Sequence, residues 1–447
     1  MKTLAKLSLM ALAALSLMLA ACSKDQMSSP TGPEGTPPKS SLQKAGATTM
    51  GILEPPTSVT DVGMFKGIRY NKYKGRFAGQ NSQGLAYSVP YEITAPANLA
   101  QGIGRLIVEP PHFSSGLLAR EGFLGPEFLF GHGFVHTSVG YSHFRRRILD
   151  PNPGFEVLVN GQPAPSPPPP PAPPLWEPYT DREIIADFAR ALRQNPYGLV
   201  GSIQKVYSMG FSDSGEAVRR ILEAEYGQDL FDLWFPGTTA SFNPIEGRGR
   251  VIIFNSEADF QPVNAVSPSY RRYVTAGCPH IPDTEITRQQ FPGPFPPPIA
   301  GTTPLNWNPF MRALFVAGDA WVTRGQEPPP STVLALTPSG EIARDEKGNA
   351  LGGIRHPALE LGEAHFIASQ NINGWPLFGG YDQVSAIGDE GFFADFNAYK
   401  AAFDNAAKAL VDAGFLLKDD EKDLTKNAKL MRPYTITQNY QAGRFVP

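Results

Sequence analysis

The strongest constraint on the fold is an alternation of short apolar runs with helix-periodic segments. Residues 105–109 (RLIVE) and 134–138 (FVHTS) read as strands, and residues 181–195 carry Ile184, Ile185, Phe188 and Leu192 at helical spacing. A strand at 206–209, a helix at 216–226 with Val218, Ile221 and Leu222 turned inward, and a strand at 251–254 follow. Each helical crossover returns the chain to the same end of a sheet, so the strands pair in parallel and the helices cover both faces. The expected class is therefore α/β with a mostly parallel central sheet. A last amphipathic helix is expected over 393–413, where Phe396, Tyr399, Phe403, Ala407 and Leu410 share one face and Gly414 is the stop.

The segment 206–215, VYSMGFSDSG, sets Ser212 between a strand and a helix. Gly210 and a small residue at 214 allow the sharp turn that lifts a serine hydroxyl above a sheet edge. The helix behind it directs its N-terminus at the same point, so the Asp213 amide can donate to a developing oxyanion. A serine becomes nucleophilic only when a base removes its proton, and strand-turn-helix serines of this kind have their acid and then their histidine downstream. The strand 251–254 runs into Asn255, Ser256, Glu257, Ala258 and Asp259, with two carboxylates at its C-terminal end. Asp259 is the preferred orienting acid and Glu257 the alternative. A short strand at 273–276 then leads to a loop bearing His280, 21 positions after Asp259.

Other histidines fit less well. His132, His136 and His143 precede the serine, while His356 and His365 follow a long irregular region. Gly131, His132 and Gly133 come before a strand and read as a turn. No acidic or cysteine residue near His132 and His136 in sequence completes a metal ligand set, so no metal is expected. A second oxyanion donor is sought after the strand 105–109, at the amides of His112 and Phe113.

These residues resemble a bacterial family of α/β-hydrolase domains whose elbow reads G-F/Y-S-Q-S-G, similar to GFSDSG at 210–215. The family's T-E-T-D acid segment is similar to SEAD at 256–259, and its A-G-x-x-H segment to AGCPH at 276–280. AWVTRGQEPPPS at 320–331, GIR at 353–355 and LVDAGFLL at 410–417 look like its later blocks, extending the likeness over residues 85–435. It implies an α/β-hydrolase fold and a serine esterase with Ser212 and His280 in the triad, the acid being Asp259 or Glu257. Asp213 stands where that family often has Gln.

The flanks set the location. Lys2 and Lys6 precede an apolar run over 7–21, the build of a secretory signal, and it ends in Leu19, Ala20, Ala21 and Cys22, which resembles a lipobox. Cleavage before Cys22 and acylation of its thiol would anchor the chain to the cell envelope, with Ser23 favouring the outer membrane. Residues 22–56, poor in large apolar side chains, read as a disordered tether, and 57–447 as the hydrolase domain. Within it, 163–178 is a proline-rich surface insertion. Residues 283–352 are read as a cap, with Trp307, Phe310, Phe315 and Trp321 either lining an acyl or alcohol pocket or forming the cap's own core. Beyond Cys22 the chain has one cysteine, Cys278, so no disulfide is expected. A net charge of -3 carries no basic footprint and argues against nucleic acid as a partner.

The expected activity is cleavage of small-molecule carboxylic esters through an acyl-enzyme, with no cofactor. The alternatives are an inactive hydrolase-fold lipoprotein that binds a ligand, and peptidase or acyltransferase chemistry on the same residues.

Overall fold

A computed structural model describes residues 51–80, 86–111, 123–140, 158–159, 162–163, 181–223, 230–239, 249–263, 267–282, 303, 305–369, 377, 379–383 and 393–430. Cys22 and the signal lie outside these residues, as do 164–178 of the proline-rich insertion and 283–302 of the expected cap.

Thirteen strands form one mixed sheet among the described residues. Its N-terminal part is antiparallel: β1 (Ile52–Leu53) and β2 (Ser58–Phe65) flank β3 (Ile68–Gln80), which pairs with β4 (Ala86–Pro96). β1 falls inside the stretch read as tether, so the described sheet already includes residues 52 and 53. Leu53 is buried opposite Phe77, a single apolar anchor too short to show as a pattern. The parallel part begins with β5 (Arg105–Val108) and β6 (Val135–Val139), the latter antiparallel to β4. A two-strand ladder of β7 (Leu158–Val159) and β8 (Gln162–Pro163) attaches to β4. From β5 the order continues in parallel through β9 (Lys205–Phe211), β10 (Leu233–Gly237), β11 (Arg250–Ser256), β12 (Tyr270–Ala276) and β13 (Ile354–Arg355). β14 (Ala364–Ile367) and β15 (Gly380–Gln383) form a separate antiparallel pair.

Both faces of the parallel part are buried, which is why β9 and β11 read as continuous apolar runs. On β9 the residues alternate between two cores: Val206 faces one, and Tyr207, Met209 and Phe211 face the other. The first core is closed by α2 (Asp181–Gln194) and α3 (Asp213–Glu223), through Ile184, Ile185, Phe188 and Leu192 and through Val218, Ile221 and Leu222. α3 starts before the expected 216 because its first turn, Asp213 to Gly215, carries no apolar residue to mark it.

The second core is closed by α1 (Pro126–Gly131), α4 (Asn308–Arg324), α5 (Pro357–Glu360), α6 (Phe396–Asp412) and α7 (Lys418–Leu430). Asp395 caps α6, its carboxylate accepting the Ala398 amide at 2.8 Å, and the Phe415 amide closes the other end on the Leu410 carbonyl at 2.8 Å.

The expected cap is corrected over its described part. α4 lies on the sheet, and Phe315 packs on Phe134, Tyr207 and Phe235 at centroid distances of 5.4, 6.0 and 5.6 Å. Phe310 and Trp307 are fully buried and Trp321 is 3% exposed, so these aromatics belong to the domain core. After α4 the chain extends the sheet edge, where Thr332 bridges to Tyr273, and folds back in a narrow arm with Arg344 opposite Ala350. Aromatic content alone cannot separate a lid from a sheet-covering helix. Among the described residues, no helix is long and apolar enough to cross a membrane.

Candidate active site

β9 ends at Phe211, α3 begins at Asp213, and Ser212 between them has φ 52°. A non-glycine residue in the left-handed region costs about 1–3 kcal/mol and persists only where its surroundings over-determine it. Here they do. The Ser212 amide donates to the Gly237 carbonyl at 2.9 Å and to Thr238 Oγ1 at 3.0 Å. A Cβ on Gly210 would lie 2.4 Å from the Ser214 carbonyl oxygen, and one on Gly215 would lie 2.5 Å from that of Gly237. Ser214 does more than stay small: its Oγ accepts the Phe211 amide at 2.8 Å and donates to the Phe211 carbonyl at 2.9 Å, tying the turn across its base.

Three of the residues singled out from sequence come together above the sheet. Ser212 Oγ lies 2.9 Å from His280 Nε2, and His280 Nδ1 lies 2.6 Å from Asp259 Oδ1. Asp259 ends the single turn Glu257–Asp259 that follows β11, and its other oxygen accepts the Ser256 hydroxyl at 2.6 Å. A carboxylate can only accept, so the imidazole proton sits on Nδ1 and the Nε2 lone pair faces the serine hydroxyl. The fourth candidate is engaged elsewhere. Glu257 accepts the Gly277 amide at 2.6 Å and pairs with Arg344 at 2.9 Å.

His280 is 5% exposed and its ring lies 5.3 Å from that of Phe211, which stacks on Trp307 at 5.1 Å. The Trp307 indole donates to the Pro279 carbonyl at 3.1 Å and the Ile281 amide to Leu377 at 3.0 Å, so the histidine loop is held on both sides. Burial pushes the neighbouring Cys278 thiol up to about 12, which keeps it protonated and inert as a nucleophile. Asp213 is the first residue of α3, where main-chain amides lack intrahelical acceptors. His112 and Phe113 lie outside the described residues.

A family model described as an alpha/beta hydrolase domain matches residues 179–426, more than half of the chain. The chain belongs to this family. Similar solved structures include brefeldin A esterase, a bacterial homologue of human hormone-sensitive lipase, at 13% identity over 42% of this chain and 42% of that one, with a TM-score of 0.24. A rice cell wall degrading esterase from Xanthomonas oryzae matches at 13% identity over 41% of this chain and 50% of that one, TM-score 0.27. A putative hydrolase from Legionella pneumophila matches at 16% over 41% and 52%, TM-score 0.28. The hydrolase chain thus spans about half the length of these structures. No curated protein matches it.

Elsewhere in this α/β-hydrolase domain the structure adds a pairing that sequence reasoning missed. His136 Nε2 meets Glu109 Oε2 at 2.6 Å, both side chains being buried at the ends of adjacent strands. Glu109 and His136 stand 27 positions apart, which carries no local signal. His132 instead uses Nδ1 on the Phe128 carbonyl at 2.6 Å, where it caps α1. Among the described residues no three acidic, histidine or cysteine side chains form a metal-binding group.

Proposed function

We propose that this chain hydrolyses carboxylic esters through an acyl-enzyme on Ser212. The observation that carries the reading is the continuous run from Asp259 through His280 to the Ser212 hydroxyl, at 2.6 and 2.9 Å. His280 takes the hydroxyl proton as Ser212 Oγ attacks the ester carbonyl, and Asp259 holds the ring and stabilises the imidazolium that forms. The Asp213 amide at the head of α3 receives the oxyanion, a contribution of roughly 10²–10³ in rate for one such donor. The second donor is sought on the chain after β5, at His112 or Phe113. The imidazolium returns its proton to the departing alcohol; a water activated by the same base then releases the acid. The resemblance of the elbow to serine esterases favours esters over amides, and a small-molecule ester is the substrate class.

The same proposal starts the mature chain at an acylated Cys22, anchored in the cell envelope, supported by Leu19, Ala20 and Ala21 ahead of that cysteine. A fluorophosphonate probe tests the chemistry: wild type is expected to be labelled and to release acid from a panel of alkyl, aryl and sugar esters, and Ser212→Ala to do neither. Absence of labelling on folded wild type would sink the reading. Labelling without ester turnover would move the activity to amides or acyl acceptors. For the anchor, Cys22→Ala is expected to abolish incorporation of a clickable fatty acid in cells.

A further inference from the structure

Asp259 and His280 sit on the turns that leave two neighbouring strands, and the last register pair between those strands is Ser256 with Thr275. Past that pair no ladder bond sets how far apart the turns stand. The next residue on the first turn is Glu257, 6% exposed, and its carboxylate accepts the Gly277 amide on the second turn at 2.6 Å. Gly277 has φ 69°, and a Cβ there would lie 2.1 Å from Leu359 Cδ1, so this bend cannot relax by moving toward α5. The buried charge is met from outside by Arg344 at 2.9 Å, whose guanidinium also donates to the Gly348 carbonyl at 2.9 Å within the arm. Both Glu257 oxygens are thereby engaged by backbone and arginine.

We infer that Glu257 is a positioning residue that fixes the separation of the acid-bearing and base-bearing turns, with Arg344 of the arm as its outer partner. It touches no reacting atom. Its effect passes through the Gly277 amide, three residues before His280, and a displacement near 1 Å at such a site costs on the order of 10²-fold in rate. The kinetic part of the inference rests on the ester-hydrolase reading; its spectroscopic part does not.

The test follows the downfield proton resonance of the His280 Nδ1–H bonded to Asp259, identified by its loss in His280→Asn. Glu257→Ala is expected to lose or broaden this resonance and to lower kcat by roughly 10- to 100-fold with KM within twofold. Glu257→Gln, whose amide oxygen still accepts the Gly277 N–H, is expected to keep the resonance and recover most of kcat, and Arg344→Ala to fall between. Should Glu257→Ala fail to fold, Glu257→Asp, one methylene too short to reach the amide, carries the same expectation. A resonance and kcat unmoved in Glu257→Ala overturn the inference. If wild type hydrolyses no ester while the resonance behaves as expected, the hydrolase reading fails and the positioning role stands; if it does not, the positioning role fails too.

Discussion

Glu257 accepts the backbone amide of Gly277 at 2.6 Å, and this commits it to the main chain instead of the imidazole. The two neighbouring carboxylates therefore divide into one that faces His280 and one that holds the chain bearing it. Asp259→Asn is expected to lower kcat by about 10⁴, because an amide at this place favours the wrong imidazole tautomer. Steady-state kinetics on any ester that wild type turns over would check this; a loss below tenfold would return Glu257 to candidacy as the acid.

The elbow makes a second prediction, about stability. Ser214→Ala removes both hydrogen bonds to Phe211, each worth about 0.5–1.5 kcal/mol, so a loss of about 1–3 kcal/mol is expected. Gly210→Ala should cost more, since its new methyl would meet the main chain 2.4 Å away. Denaturant midpoints measure both, and a Gly210→Ala protein as stable as wild type would contradict the geometry.

Glu109 and His136 are buried against each other beside the strand that leads toward the expected second oxyanion donor. Truncating either to Ala strands its partner away from water. An unfolding free energy lower by about 2–5 kcal/mol is expected for each single variant, and less than the sum for the double. A double-mutant cycle reads the coupling directly; additive losses would show that the pair does not act as one unit.

Two buried groups, Glu363 and His356, tilt the pH dependence in opposite directions. Burial raises Glu363 to about 7, the Tyr399 hydroxyl opposing it, so the native state holds a proton the unfolded chain has released and stability falls as pH rises from its ordinary 4.5. Burial lowers His356 to about 3, its Nδ1 accepting the Ala358 amide at 3.1 Å, so there the unfolded chain binds the extra proton and stability falls as pH drops below 6.5. Between the two ordinary values the slopes, each about 1.4 kcal/mol per pH unit, cancel. Glu363→Gln should then gain stability with rising pH across that window relative to wild type, and His356→Asn should lose it. Urea midpoints at two pH values suffice, and slopes of equal sign in the two variants would refute the assignment.

Much of the sheet was legible because each parallel strand is buried on both faces and each covering helix keeps an apolar stripe, as Ile184, Ile185, Phe188 and Leu192 do on α2. Legibility failed where sequence carries no period. Leu53 anchors β1 with one side chain, and the aromatics of α4 have the same composition whether they cap a cleft or fill a core. At the site, Ser212, Asp259 and His280 could be picked out as residues that meet, since strand ends and loops can be placed approximately. Side-chain direction could not. Whether Glu257 or Asp259 faces the ring depends on a single turn of three residues, and the two hydrogen bonds of Ser214 with Phe211 depend on a backbone bend that the sequence marks only by a small residue.

Trp307 gives the molecule an optical property. Its indole N–H is spent on the carbonyl one residue before His280, and its face carries the ring of the residue one before Ser212. On the proposed ester-hydrolase reading, an acyl group on Ser212 would arrive one residue from the Phe211 ring of that stack while the hydrogen bond keeps the indole in place. Emission from this tryptophan should therefore follow acylation in real time with substrates that carry no chromophore, which opens natural esters to transient kinetics.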